Sequence, residues 1–278
     1  NKCKVSYVLI DHNLRKNSET EAKSVKRLLK KFQINLNIIK NNRIIKKNIQ
    51  SEARRIRYNL LSSFCKKRKI KVILTAHNLE DQVETFFIRL SRGSGIQGLS
   101  SMKQSNKIEK NIILLRPLLE VKKDQLIKIS KLIFNKFYKD PSNNNVKYLR
   151  TRIRKLKKSI ESSGINYDQI FQSIKNLASS RDTLNLYFEK IYKDTVKFDK
   201  NKILINCNEF DKLNLEMKIR IIKNSIKNFT KSYYMPRSKK IINLIDNIEQ
   251  KNSKKFTLGG CIIIKEKKYI ILEKEIKS

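Results

Sequence analysis

"TAHNLEDQVETFFIRLSRGSG", residues 75–95, decides how this chain is read. The apolar run "KVILTA" (71–76) precedes it and has the length and β-branched content of a buried strand. Leu79, Val83, Phe86 and Leu90 then recur at helical spacing, so a helix follows the strand at once. On a 3.6-residue helix His77, Asp81 and Glu84 fall on the side opposite that apolar stripe. Acidic residues near a helix start also answer its dipole, and Asn78 with Asp81 resembles a capping pair. Glu84 is harder to assign to such local roles, because the residue four positions on is Ile88 rather than a cation. Three of the six glycines, Gly93, Gly95 and Gly98, come next. Gly93 suits a left-handed helix C′ position. The others suggest close backbone packing or a loop shaped around a ligand.

Working outward, apolar runs alternate with helical patterns. "VSYVLI" (5–10) reads as a strand buried on both faces, 18–32 as a helix opened by Ser18, and "INLNIIK" (34–40) as a strand. A long helix is expected over 49–69, a strand over 111–119 and a helix over 122–137. This spacing implies an α/β fold, a parallel sheet with helices on both faces. Beyond residue 150 the character changes. Residues 145–195 read as helical and strongly basic, 216–251 as two helices split near Pro236, and 256–274 as a small C-terminal β-meander. The expected domains are 1–150 and 151–278, the second a mostly helical basic region ending in the meander.

Lys and Arg number 64 against 25 Asp and Glu, a net charge of +39. Such a field favours a polyanion, with nucleic acid the default, although an AT-rich coding bias also enriches lysine. No run is long and apolar enough to span a membrane. The four cysteines form no C-x-x-C pair, which argues against a zinc ribbon, and free thiols suit a reducing cytoplasm.

The stretch 75–102 closely resembles the "H-x-x-D-D-Q-x-E-T…L-R-G-S-G" segment of tRNA(Ile)-lysidine synthases, members of the PP-loop ATP pyrophosphatases. "VLIDHNLRKNSETEA" (8–22), "EARRIRYNLL" (52–61), "RPLLEVKKDQL" (116–126), "YKDPSNNNVKYLRTRIRK" (138–155) and "TLGGC" (257–261) add to the resemblance. The match is dense over 1–155 and thinner beyond. Glu80 stands where the family has Asp, Asn13 where it has Gly, and Thr151 where it has Asn. The family's S-G-G-x-D-S phosphate loop occurs nowhere in the chain, so a first strand and its loop are expected to be missing ahead of Asn1.

The resemblance implies a ligase. ATP adenylates C2–O of the wobble cytidine in the tRNA(Ile) with a CAU anticodon, and free L-lysine displaces AMP to form lysidine. It implies catalytic roles for Asp81, Glu84 and His77, and lysine binding by Asp81, Glu84 and Arg57. ATP would meet Asp11, His12, His77 and Arg57. Mg²⁺ would accompany it, with no protein ligand identifiable in this chain, and no metal-binding residue is assigned. Arg116, Arg150, Arg152, Arg154 and Lys155 are assigned to tRNA. A cytoplasmic enzyme without a membrane partner, compatible with a homodimer, is the expectation. A PP-loop tRNA thiolase and a non-catalytic tRNA-binding derivative of the fold are the alternatives.

Overall fold

The computed structural model describes residues 4–15, 17–45, 49–138, 145–199, 201–230, 236–250 and 255–275. The chain forms two compact units, 1–178 and 179–278. The division falls at 178/179 rather than near 150, for a physical reason. Tyr167, Ile170, Phe171 and Ile174 form one buried cluster with Leu79 and Val83, so the helical segment after residue 150 belongs to the first core.

The first unit opens β1 (Tyr7–Asp11), α1 (Ser18–Lys30), β2 (Leu36–Lys40) and α2 (Ile49–Lys67). It continues β3 (Val72–Leu74), α3 (Leu79–Leu90), the short α4 (Ile96–Leu99), β4 (Ser105–Glu109), β5 (Ile112–Leu115) and α5 (Lys123–Phe134). Helices α6 (Leu149–Lys155) and α7 (Lys157–Ser162) lead into α8 (Tyr167–Thr195). Strands β1 and β2 pair in parallel, and β3 pairs in parallel with β5. The strand β4, absent from the sequence reading, adds to β5 antiparallel. Among the described residues these are two separate ladders, β1-β2 and β3-β5-β4, instead of one continuous sheet. The expected burial of 5–10 on both faces therefore fails: Tyr7 is 45% exposed, and on β3 Leu74 is 63% exposed. Among the described residues, β1 and β3 each pair on one side only.

Local details follow the residue chemistry. The cap of α1 is Asn17 and not Ser18, which lies inside the helix. Asn13 adopts φ +52°, in the left-handed region that glycine occupies freely and Asn tolerates better than most residues. It stands where the resembled family has glycine. Gly93 adopts φ +64° just past α3, and Ser94 N–H donates back to Arg89 O at 3.1 Å, closing the helix. At Gly98 a Cβ would lie 2.5 Å from Ser94 Cβ, so this glycine permits a close approach within the loop. Arg89 Nη1 donates to Gly98 O and Ser101 O, and the Gln82 side chain donates to Met102 O and accepts from its N–H. The glycine-rich loop is thus packed against α3 by α3's own side chains.

The second unit begins within α8 and holds β6 (Val196–Asp199), β7 (Lys202–Asn206), α9 (Cys207–Asp211), α10 (Leu215–Thr230) and α11 (Ser238–Gln250). It ends with β8 (Lys255–Leu258), β9 (Cys261–Lys265) and β10 (Tyr269–Lys274). The expected small meander is part of a five-stranded antiparallel sheet, ordered β6-β7-β10-β9-β8. The pairing of β7 with β10 joins segments distant in sequence. Ile203, Ile205, Ile221, Ile222, Ile241 and Ile263 lie in its buried core.

Candidate active site

Strand β1 delivers Asp11 and His12 at its carboxyl end, and β3 delivers Thr75 and His77 at its own, the usual place for ligands in open α/β sheets. His77 precedes α3 instead of opening it. Asn78 is the N-cap: its side chain accepts from Asp81 N–H at 3.0 Å, and Asp81 Oδ2 accepts from Asn78 N–H at 3.2 Å. Asp81 therefore does perform the capping role its position suggested, and its Oδ1 faces Arg154. Glu80 turns elsewhere, accepting from Lys123 N–H at 2.8 Å, so it ties α3 to the start of α5 and is not part of the acidic pair.

Glu84 departs from expectation. Its residue is 2% exposed, and its carboxylate faces two arginines from α6. Arg154 donates through Nε to Oε1 and through Nη2 to Oε2 at 3.1 Å. Arg150 Nε lies 3.0 Å from Oε2 as an ion pair, without hydrogen-bond alignment. Arg154 also stands 3.7 Å from Asp81 Oδ1. Helix α6 packs on α3 and turns Arg150 and Arg154 inward on Ile153's side, leaving Arg152 and Lys155 exposed. Of the five residues assigned to tRNA, those two are the most exposed, while Arg150 and Arg154 are half-buried. Arg116 is 4% exposed and donates to Lys103 O at 2.7 Å, because the chain turns inward at the end of β5. Burial pushes the Glu84 carboxyl above its ordinary value, and Arg154 and Arg150 pull it back only in part.

A cationic side adjoins these acids. Arg57 Nε donates to His12 Nε2 at 3.4 Å. Desolvation of the Arg57 guanidinium lowers its pKa, and the nearby charges of Arg54 and Arg150 lower it further. Burial takes His77 down to about 4; the charge of Asp81 opposes this, and Arg116, Arg54 and Arg150 reinforce it. Four arginines thus act on two imidazoles, a positive field whose sign suits an anion. Arg116 Nε, a buried donor without a hydrogen-bond partner among the described residues, points the same way, whereas Asp11 Oδ2, likewise unpartnered there, suits a donor such as a hydroxyl or amine. Arg54 was missed by the sequence reading. Its signal was the spacing of three residues from Arg57, which puts both on one side of α2.

The imidazoles supply a direct check. The protein has two histidines, and His12 is also lowered, by burial and then by Arg57. In an NMR titration both should titrate below 6.5, His77 near 4. Because the folded-state value is depressed, the unfolded chain binds protons first, and the stability from neutral His77 is lost as pH falls from 6.5 towards 4. A His77 midpoint at or above 6.5 would contradict this arrangement.

The chain belongs to the PP-loop family: a PP-loop domain model matches residues 1–159. It is 36% identical over 272 residues to the tRNA(Ile)-lysidine synthase of Wolbachia pipientis wMel, covering 96% of this chain and 62% of that protein. It is 26% identical over 276 residues to the Ruegeria pomeroyi tRNA(Ile)-lysidine synthase, covering 99% of this chain and 65% of that one. The chain therefore spans under two thirds of the length of these relatives. Among solved structures it is similar to the U34-tRNA thiolase NcsA of Methanococcus maripaludis, with a TM-score of 0.50 and 15% identity, over 61% of this chain and 60% of that one. That likeness concerns the fold.

Proposed function

We propose that this protein is an ATP-dependent tRNA-modifying ligase that joins free L-lysine to C2 of the wobble cytidine in tRNA(Ile) with a CAU anticodon. The observation that carries the reading is the site's two-signed rim. Arg54, Arg116 and Arg150 act on His77, Arg57 meets His12, and the charge of Asp81 opposes the arginines at His77. Arg54 and Arg57, exposed on α2, suit the phosphates of ATP or the phosphodiester at the target nucleotide, with Arg116 and Arg150 adding positive charge from behind. The orphaned polar atoms of Asp11, His12 and Arg116 fit a bound nucleotide. ATP supplies the adenylyl group that turns C2–O of cytidine into a leaving group. Mg²⁺ would accompany its phosphates, with no ligand assigned in this chain.

Asp81 is the more available acid for the substrate ammonium: Glu84 is held by Arg150 and Arg154, whereas Asp81 has Arg154 at the longer distance of 3.7 Å. A lysine amine is almost wholly protonated at neutral pH and attacks only after losing a proton. Asp81, with a fifth of its side chain exposed, can orient the ammonium and relay that proton to solvent. Glu84 acts through the arginines it fixes. His77, uncharged at pH 7, offers its ring to the nucleotide side without adding charge, and Thr75 Oγ1 holds its Nδ1 at 2.9 Å. The thiolase reading is less favoured: burial raises the thiol pKa of Cys65, Cys207 and Cys261, the opposite of an activated thiolate. Cys3 lies outside the described residues.

The purified full-length protein should incorporate radiolabelled lysine into tRNA(Ile) transcripts only with ATP, releasing AMP and pyrophosphate. Replacing the wobble cytidine should abolish it. Transfer of sulfur in place of lysine would establish the thiolase reading, and tRNA binding without incorporation the non-catalytic one.

A further inference from the structure

A cleft of about 260 Å³ lies beside the candidate site and has no role in the chemistry above. One wall is α2, which presents Ile56, Asn59, Leu60 and Ser63 at helical spacing along a single face. The other is the segment Lys40–Arg43 leaving β2. That segment is pinned. Asn41, 3% exposed, donates through Nδ2 to His12 O at 3.3 Å and to Arg43 O at 2.8 Å, and its Oδ1 accepts from Arg43 N–H at 2.9 Å. Asn41 N–H also donates to Asp11 O at 2.8 Å. The cleft is thus built in advance, at the carboxyl ends of two parallel strands.

Its lining is specific in kind. Ile56 and Leu60 give an apolar floor. Asn59, Asn42 and Ser63 offer neutral donors and acceptors, and Lys40 and Arg43 bring positive charge. Apolar floor, amide edge readers and cations together match one unpaired nucleotide: base on the floor, base edge to the amides, phosphate to the cations. The volume admits one nucleoside and not a stacked pair. Ile56 is next to Arg57, which meets His12, so the cleft is a neighbour of the nucleotide-facing side.

We propose that this cleft takes one unpaired tRNA nucleotide flanking the base modified at the adjacent site. The proposal rests on the tRNA-modifying reading above, and makes the cleft a specificity determinant that holds the loop splayed while the target base is presented. Asn59 and Ser63 are exposed, so changing them should leave the fold intact.

The test combines the variants Asn59→Ala and Ser63→Ala with tRNAs carrying one abasic residue at each anticodon-loop position in turn. Binding is measured by filter retention and turnover by lysine incorporation. Asn59→Ala should weaken tRNA binding about tenfold, with KM for ATP and lysine unchanged. One abasic position should produce the same loss in the wild-type protein and no further loss in the variant. Independent, additive losses at every position would overturn the proposal, as would a raised KM for ATP, which would give the cleft to the cofactor. Because binding is read without turnover, an inactive protein that still shows the coupling would count against the ligase reading alone.

Discussion

Asp81→Asn is expected to reduce lysine incorporation by on the order of 10²–10⁴ in kcat/KM while tRNA affinity stays within about twofold. The asparagine keeps an oxygen that can accept from Asn78 N–H, so the cap on α3 survives and only the charge is lost. That separation matters, because Asp81→Ala would remove the cap as well and mix a stability effect with a chemical one. The variant should show its defect chiefly towards lysine. Steady-state kinetics with lysine varied at saturating ATP and tRNA measure it. Wild-type turnover in Asp81→Asn would mean that the ammonium is held elsewhere.

Arg154→Ala is expected to destabilise the first unit by about 3 kcal/mol, because it strands a carboxylate that is almost wholly out of water. Arg150 remains beside Glu84, which places the loss at the lower end of the usual range. Adding Glu84→Gln should recover much of it, since a neutral amide tolerates burial better than an unpaired charge. Urea unfolding of the wild type, both single variants and the double variant gives the coupling directly. Additive single losses would show that Glu84 and Arg154 do not depend on each other. tRNA affinity should change less than stability does, since Arg154 is turned inward.

Much of the first unit could be read in its sequence because its elements are written in local periodicity. The apolar stripe of α3, the run that becomes β3 and the pattern of α2 each specify themselves within a few turns. The strand β4 could not be read: "SNKIE" is polar, and it becomes a strand only because β5 offers it an edge. The C-terminal sheet was half seen for a similar reason. Strands β8 to β10 are joined by short turns, whereas β7 reaches β10 across three helices and two strands. At the site, residue types and their order along α3 were legible. Their partners were not, since a run of arginines at 150–154 looks alike whether it faces RNA or a buried acid. Only packing of α6 on α3 decides that Arg150 and Arg154 turn in and Arg152 and Lys155 turn out.

Net charge counts every basic side chain alike, but Glu84 neutralises part of what Arg150 and Arg154 carry, so the outward field of α6 rests mainly on Arg152 and Lys155. A formal charge of +39 therefore overstates how strongly this helix draws a polyanion.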